Sequence, residues 1–230
     1  MTVSHPERSE FYVVDFDRTL VDSDKLLEVF IEIANKYFDI PREQIEKADL
    51  DVKQRGDSFD TAGYVRDHLA DKGMSDEWGK LERQFIHESR ALNMLLPGAA
   101  ELLEQLTNKG SRYGILTYGN PLWQHIKLTA AGFNHVPRIV MEHKEKGRLI
   151  RSWQREDTTF RIPHEFGGGS ASRIILIDDK AVSFAEFPDQ PSEGLWVVDK
   201  SNMLPSQHGE VPVNVRHVSD LYEAIECLFS

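Results

Sequence analysis

Phe11-Tyr-Val-Val-Asp15-Phe-Asp17-Arg-Thr19-Leu-Val21 is the stretch on which the fold turns. Four apolar or aromatic residues run into a carboxylate, a second carboxylate follows two positions later, and a hydroxyl two positions after that. An apolar run this short, without alternation, reads as a strand covered on both faces, as in a parallel sheet. Ligands of open α/β sheets bind beyond the carboxyl ends of the strands, so acids at such a tip form a candidate reactive site. Residues two apart in an extended chain project to the same side, which lines Asp15, Asp17 and Thr19 along one edge. Taken alone, the D-x-D-x-T pattern is equally compatible with two acids ending a strand in water.

After this strand, Asp22 or Ser23 caps a helix in which Leu26, Leu27, Phe30, Ile33, Ala34 and Tyr37 recur at helical spacing. It ends near Asp39, because Pro41 cannot continue it. From there to about Met94 the chain is charged and helix-compatible, over 43–48, 61–70 and 76–93, with no convincing strand. Pro97-Gly98 then opens a helix carrying Leu102, Leu103 and Leu106, stopped by Asn108-Lys-Gly110. A strand over 112–117 ends in a hydroxyl, a helix over 121–131 is closed by Gly132, and a third strand covers 138–141. A helix over 146–154 carries Leu149, Ile150 and Trp153. Residues 155–172 read as irregular, with Gly167-Gly-Gly-Ser170 as a flexible connection. A fourth buried strand, 173–177, runs into Asp178-Asp179, followed by a helix over 180–187, strands over 195–198 and 213–218, and a last helix over 219–228. Strands alternating with helices predict an α/β fold, a doubly wound parallel sheet with right-handed crossovers. Residues 1–21 and 96–230 form its core, and the helical insertion, 22–95, a cap.

The 230 residues carry a formal charge of −11, with 40% hydrophobic and 28% charged side chains. That balance fits a globular chain, and the acidity argues against a general binder of nucleic-acid phosphates, whose affinity rests on Lys and Arg. The single cysteine, Cys227, cannot close an internal disulfide and reads as a small core residue in an apolar periodic segment. No apolar run approaches the roughly 18 residues of a membrane span, and the first residues lack the apolar stretch of a signal peptide. A cytoplasmic protein without nucleic-acid or membrane partners is the expectation.

Four strand ends thus carry reactive groups: Asp15 with Asp17, Thr117, a lysine after Met141, and Asp178 with Asp179. A parallel sheet brings all of them to one edge. Crowded carboxylates repel unless a hard cation holds them, and Mg²⁺ favours a few carboxylates, waters and a substrate phosphate. A lysine and a hydroxyl beside it supply the charge and donors that a phosphoryl group requires.

Asp15-Phe-Asp17-Arg-Thr19, Leu116-Thr117-Tyr-Gly-Asn120, the Lys146-Gly147 pair and Leu176-Ile-Asp178-Asp179 together resemble the four ordered motifs of the haloacid dehalogenase-like hydrolase superfamily. The resemblance implies Asp15 as a nucleophile forming an aspartyl-phosphate. It implies Asp17 as the acid and base, a role that crowding by other acids would help by raising its pKa. Thr117 would donate to the phosphoryl group, with Asn120 as a substrate-binding neighbour. Mg²⁺ would be held by the Asp15 carboxylate, the Asp17 backbone carbonyl and Asp178, with Asp179 ligating directly or through water. Members that dehalogenate lack a carboxylate at the position of Asp17, so a small phosphorylated metabolite is the implied substrate.

Lys144 and Lys146 both follow the third strand; Lys146 is preferred because it starts the periodicity of the next helix. Arg18 stands where many relatives have glycine and is expected in solvent or a salt bridge, and Thr19 is expected to shape the loop. His143 reads as surface. The four tryptophans read as packing residues, Trp78 being the one placed for substrate contact; whether Arg55, Tyr64, Arg66 or Trp78 face inward is left open. Two rival readings remain at this point: a phosphoacceptor signalling domain, and a non-catalytic binding module on the same fold.

Overall fold

The computed structural model describes residues 9–55 and 58–230. Strand β1 (Glu10–Val14) lies near the middle of a six-stranded parallel sheet. With β2 (Arg112–Tyr118), β3 (Arg138–Met141), the hairpin strands β4 (Phe160–Arg161) and β5 (Ser170–Ala171), and then β6 (Arg173–Asp178), β7 (Glu193–Val197) and β8 (Val215–Val218), the sheet order is β3-β2-β1-β6-β7-β8. All its ladders are parallel. The apolar run of β1 is covered on both faces, as its composition predicts. Tyr12 and Val14 join the apolar cluster on one side, and Phe11 and Val13 the cluster on the other. Strand β6 alternates in the same way, Ile175 and Ile177 against Ile174 and Leu176.

Helix α1 (Ser23–Phe38) starts where the Asp22 side chain accepts from Lys25 N–H, and stops at Asp39 in a left-handed conformation. Helices α2 (Arg42–Lys53), α3 (Thr61–Asp71) and α4 (Trp78–Ala91) complete the inserted segment without a strand among its described residues. The two connections to this segment are joined: Asp22 N–H donates to Met94 O (2.9 Å) and Leu96 N–H to Leu20 O (3.0 Å). Helix α5 (Ala99–Asn108) leads into β2, and α6 (Pro121–Ala130) packs on α4 and α3. Trp123 of α6 packs against both Phe30 and Phe85, ring centroids 4.8 and 5.8 Å away, so the inserted helices share one apolar cluster with that side of the sheet. Helix α7 (Lys146–Ser152) and α8 (Leu221–Phe229) cover opposite faces of the sheet.

Three expectations are corrected. Residues 155–172 are not irregular: β4 and β5 pair antiparallel, and Gly167, Gly168 and Gly169 turn between them at φ of 86°, 67° and 87°. Arg112 fastens that turn through Gly168 O and Ser170 O, and Phe166 lies so close over Gly114 of β2 that a Cβ there would stand 2.4 Å from its ring. Residues 180–187 form only a 3₁₀ segment at Ala181–Phe184. Arg151 takes the carbonyls of Glu186 and Phe187 (both 2.7 Å), Glu186 has φ of 56°, and Pro188 follows, so the second helical turn has neither the geometry nor the acceptors to form. Cys227 is exposed: the inward stripe of α8 is Leu221, Ala224, Ile225 and Leu228, which leaves position 227 facing out. No helix among the described residues is long and apolar enough to cross a membrane.

Candidate active site

The register brings the predicted groups to one edge. Val14 pairs with Ile115 on one side and Ile177 on the other, so Asp15 lies beside Asp178, with Thr117 one strand away. Asp15 N–H donates to Ile177 O at 2.9 Å, which fixes the backbone under the first acid. Arg18 then takes φ of 61°, the left-handed region where glycine is at ease, and the chain doubles back through Arg18 N–H to Val21 O (2.9 Å). The Arg18 guanidinium pairs with Asp24 at 2.7 Å, and Thr19 Oγ1 donates to Asp15 Oδ2 at 2.9 Å, as expected of residues shaping the loop.

Asp15, Asp178 and Asp179 are buried, and one carboxylate oxygen of each lies within 4.8 Å of the others. Lys146, buried at the start of α7, forms ion pairs with Asp15 Oδ1 and with Asp178 Oδ2. Its reach depends on its neighbour: a Cβ on Gly147 would stand 2.5 Å from Ala185 O, so glycine lets α7 press against the 185–187 chain. Burial pushes Asp15 up to about 6, with Lys146 opposing and Asp178 adding to the rise. Asp179 is pushed up to about 7 by burial and by the neighbouring Asp15 and Asp178. Its Oδ2 accepts from Gln207 Nε2 (3.2 Å), whereas its Oδ1 is sealed from solvent and has no donor. Thr117 Oγ1 is likewise buried without a partner and faces the chamber that also holds Asp15, Asp17, Lys144, Lys146, Lys180 and Ser183. Three converging oxygen ligands, one without a donor, fit a hard divalent cation such as Mg²⁺.

Asp17 does not join the three acids. Its Oδ1 is paired with Lys127 and its Oδ2 accepts from Gln124 Nε2 (2.8 Å), both on α6. Burial would raise its pKa, yet Lys127 and the Gln124 hydrogen bond bring it below the ordinary carboxylate value. The expected upward shift from crowding by acids is thus reversed, because the side chain turns toward the helix that follows β2. Asn120 is set apart as well: its Nδ2 donates to Ser58 O in the inserted segment (2.9 Å).

A cleft of about 540 Å³ opens between the inserted helices and the sheet edge. Asp17, Lys127, Lys144 and Lys180 line it from the core, and Asp49, Ser58, Phe59 and Thr61 from the insertion. Trp123 reaches this cleft and Trp78 does not; Arg55, Tyr64 and Arg66 are also outside its lining. Lys127, Gln124, Lys180 and Ser183 are site residues that sequence reading missed. Only Lys180 carried a signal, as a lysine directly after the Asp178-Asp179 pair.

The profile of the haloacid dehalogenase-like hydrolases matches residues 12–148, more than half of the chain, and the protein belongs to that family. Solved structures agree on the fold. A haloacid dehalogenase-like hydrolase from Burkholderia xenovorans superposes with a TM-score of 0.65 at 15% identity, covering 95% of this chain and 96% of its own. A HAD phosphatase from Thermococcus onnurineus gives 0.59 at 15% identity, covering 96% and 98%. An L-2-haloacid dehalogenase, RSc1362, gives 0.53 at 16% identity, covering 96% and 99%. No curated protein matches the sequence.

Proposed function

We propose that this hydrolase is a phosphatase that cleaves the phosphate monoester of a small metabolite, with Mg²⁺ held by Asp15, the Asp17 carbonyl, Asp178 and Asp179. The observation that carries the reading is the buried Asp15, Asp178 and Asp179 cluster, with an Asp179 oxygen that has no donor and Lys146 alongside. Such a cation would supply charge neutralisation to the phosphoryl oxygens.

In the first half-reaction a carboxylate oxygen of Asp15 attacks phosphorus, the new O–P bond forms as the ester P–O bond breaks, and Asp17, carrying a proton in the substrate complex, gives it to the leaving oxygen and becomes a carboxylate. Lys146 and the free Thr117 hydroxyl meet the equatorial oxygens. In the second, water attacks the aspartyl-phosphate, Asp17 receives its proton, and Asp15 is released with inorganic phosphate. Asp17 stands ready for that step as a carboxylate, the form Lys127 and Gln124 stabilise. A carboxylate at the cleft mouth also favours ester hydrolysis over dehalogenation, because a departing halide takes no proton. Residues 22–95 serve as the cap, with Ser58, Phe59 and Thr61 facing the substrate.

The test is sustained turnover of 4-nitrophenyl phosphate with Mg²⁺, lost by more than about a thousandfold in Asp15→Asn with the fold intact. A single turnover followed by a stable phosphoprotein would favour a phosphoacceptor. Full activity in Asp15→Asn, or indifference to chelator, would overturn the mechanism.

A further inference from the structure

The loop that follows β7 reaches the acid cluster through one buried side chain. Gln207 is 8% exposed, and its amide is oriented without ambiguity. Nε2 donates to Asp179 Oδ2 (3.2 Å), while Oε1 accepts from Leu204 N–H (2.8 Å). Exchanging the amide's N and O would place acceptor against acceptor and donor against donor. Gln207 N–H returns to Leu204 O (2.9 Å), closing a 3₁₀ turn whose Leu204, Pro205 and Ser206 wall the substrate cleft. Asp179 is gripped a second time by Trp196 of β7, whose Nε1 donates to Asp179 O (3.1 Å). With backbone and Oδ2 both held, Oδ1 is the oxygen left without a donor, and it is sealed from solvent.

We propose that Gln207 is a positioning residue for the cation: it turns Asp179 so that Oδ1 faces the cluster, and it ties cation binding to the Leu204–Ser206 wall of the cleft. This rests on the cation site of the proposed function and goes beyond it. Losing a group that orients a metal's ligand through a hydrogen bond typically weakens metal affinity by about 10- to 100-fold. Because coupling between two sites is reciprocal in binding free energy, a cation that fixes Asp179 also steadies the turn that Gln207 closes.

Isothermal titration of the full chain with Mg²⁺ compares the wild type with Gln207→Leu, which keeps the bulk and removes both polar atoms. The expected result is a dissociation constant weaker by about 10- to 100-fold; a constant within twofold of wild type overturns the proposal. Hydrogen exchange on the wild type, with and without saturating Mg²⁺, provides a measurement that no variant's folding can confound. The Leu204 and Gln207 amides are expected to slow with the cation, and unchanged rates overturn the coupling. A wild type that binds no Mg²⁺ at millimolar concentration overturns the cation site together with this role. A wild type that binds while Gln207→Leu binds equally overturns the role alone.

Discussion

The Lys127 ammonium of α6 is paired with the Asp17 carboxylate, and both side chains are largely buried, 5% and 16% exposed. Lys127 also lies over the rings of Phe16 and Trp123, at 5.8 and 5.6 Å from their centroids, so part of its surroundings is apolar. Breaking a buried pair from one side leaves the other charge uncompensated. Lys127→Met is therefore expected to lose about 3 kcal/mol of stability, the lower end for such a change because Asp17 keeps some contact with water. The double variant Lys127→Met with Asp17→Asn should recover part of that loss. Urea unfolding followed by tryptophan fluorescence measures both, and a loss in Lys127→Met below about 1 kcal/mol would show that the pair behaves as a surface contact.

The acid cluster should make stability depend on pH and on the cation together. Asp15 and Asp179 are raised by burial to about 6 and about 7. At these two carboxyls the folded, metal-free protein therefore holds more protons than the unfolded chain between about pH 4 and 7, and their contribution to stability falls as pH rises through that window. Cation binding uses the ionised carboxylates, so the stabilisation by Mg²⁺ should grow over the same range. Thermal unfolding with chelator and with Mg²⁺, from pH 5 to 8, checks the sign; a cation effect independent of pH would contradict it.

Gly147 is expected to tolerate no side chain. In Gly147→Ala the new methyl meets Ala185 O at 2.5 Å and Phe187 N at 2.8 Å, backbone atoms that cannot swing aside. The start of α7 must then move away, taking Lys146 from Asp15 and Asp178. The expected outcome is a loss of about 1–3 kcal/mol from overpacking together with a fall in kcat of at least about tenfold. Steady-state kinetics beside urea unfolding would show whether the two losses occur together; normal kcat would mean that Lys146 keeps its place.

Asn120 tests the tie between the sheet edge and the insertion. Asn120→Ala removes the donor to Ser58 O and should cost about 1 kcal/mol, the worth of one typical hydrogen bond. Faster hydrogen exchange at Phe59 to Gly63 in that variant would place the effect in the insertion, and unchanged exchange there would refute it.

Much of this arrangement was legible in the chain because each strand announces its own end. Asp15, Thr117 and Asp178 close apolar runs, and a parallel sheet leaves no choice about the edge they share. Lys146 could be preferred over Lys144 because helical periodicity begins with it, and the structure places Lys146 on Asp15 and Asp178. Periodicity does not report what a polar residue inside an apolar stripe is paired with. Lys127 falls among Trp123, Ile126, Leu128 and Ala130, and its partner lies far back in the chain, so neither it nor the reversed pKa of Asp17 could be read. The same limit explains Cys227: the apolar residues of α8 show that a stripe is buried, and do not by themselves show that position 227 lies outside it. The hairpin at 160–171 escaped because strands of two residues carry no period at all.

The joint at Val21 and Leu95 bears on how the family's chemistry can be redirected. Because the chain on either side is already hydrogen-bonded across it, everything between is a closed loop to the rest of the protein. The entropy of closing a loop rises only with the logarithm of its length, so each doubling of the inserted segment costs the core only about 0.6 kcal/mol more. The joint is thus a socket, into which a longer, shorter or unrelated segment could be fitted without disturbing the register that places Asp15 beside Asp178. The face of α6 would have to be recut, since Trp123 packs against both Phe30 and Phe85, and the ties from Arg18 to Asp24 and from Asn120 to Ser58 would have to be replaced.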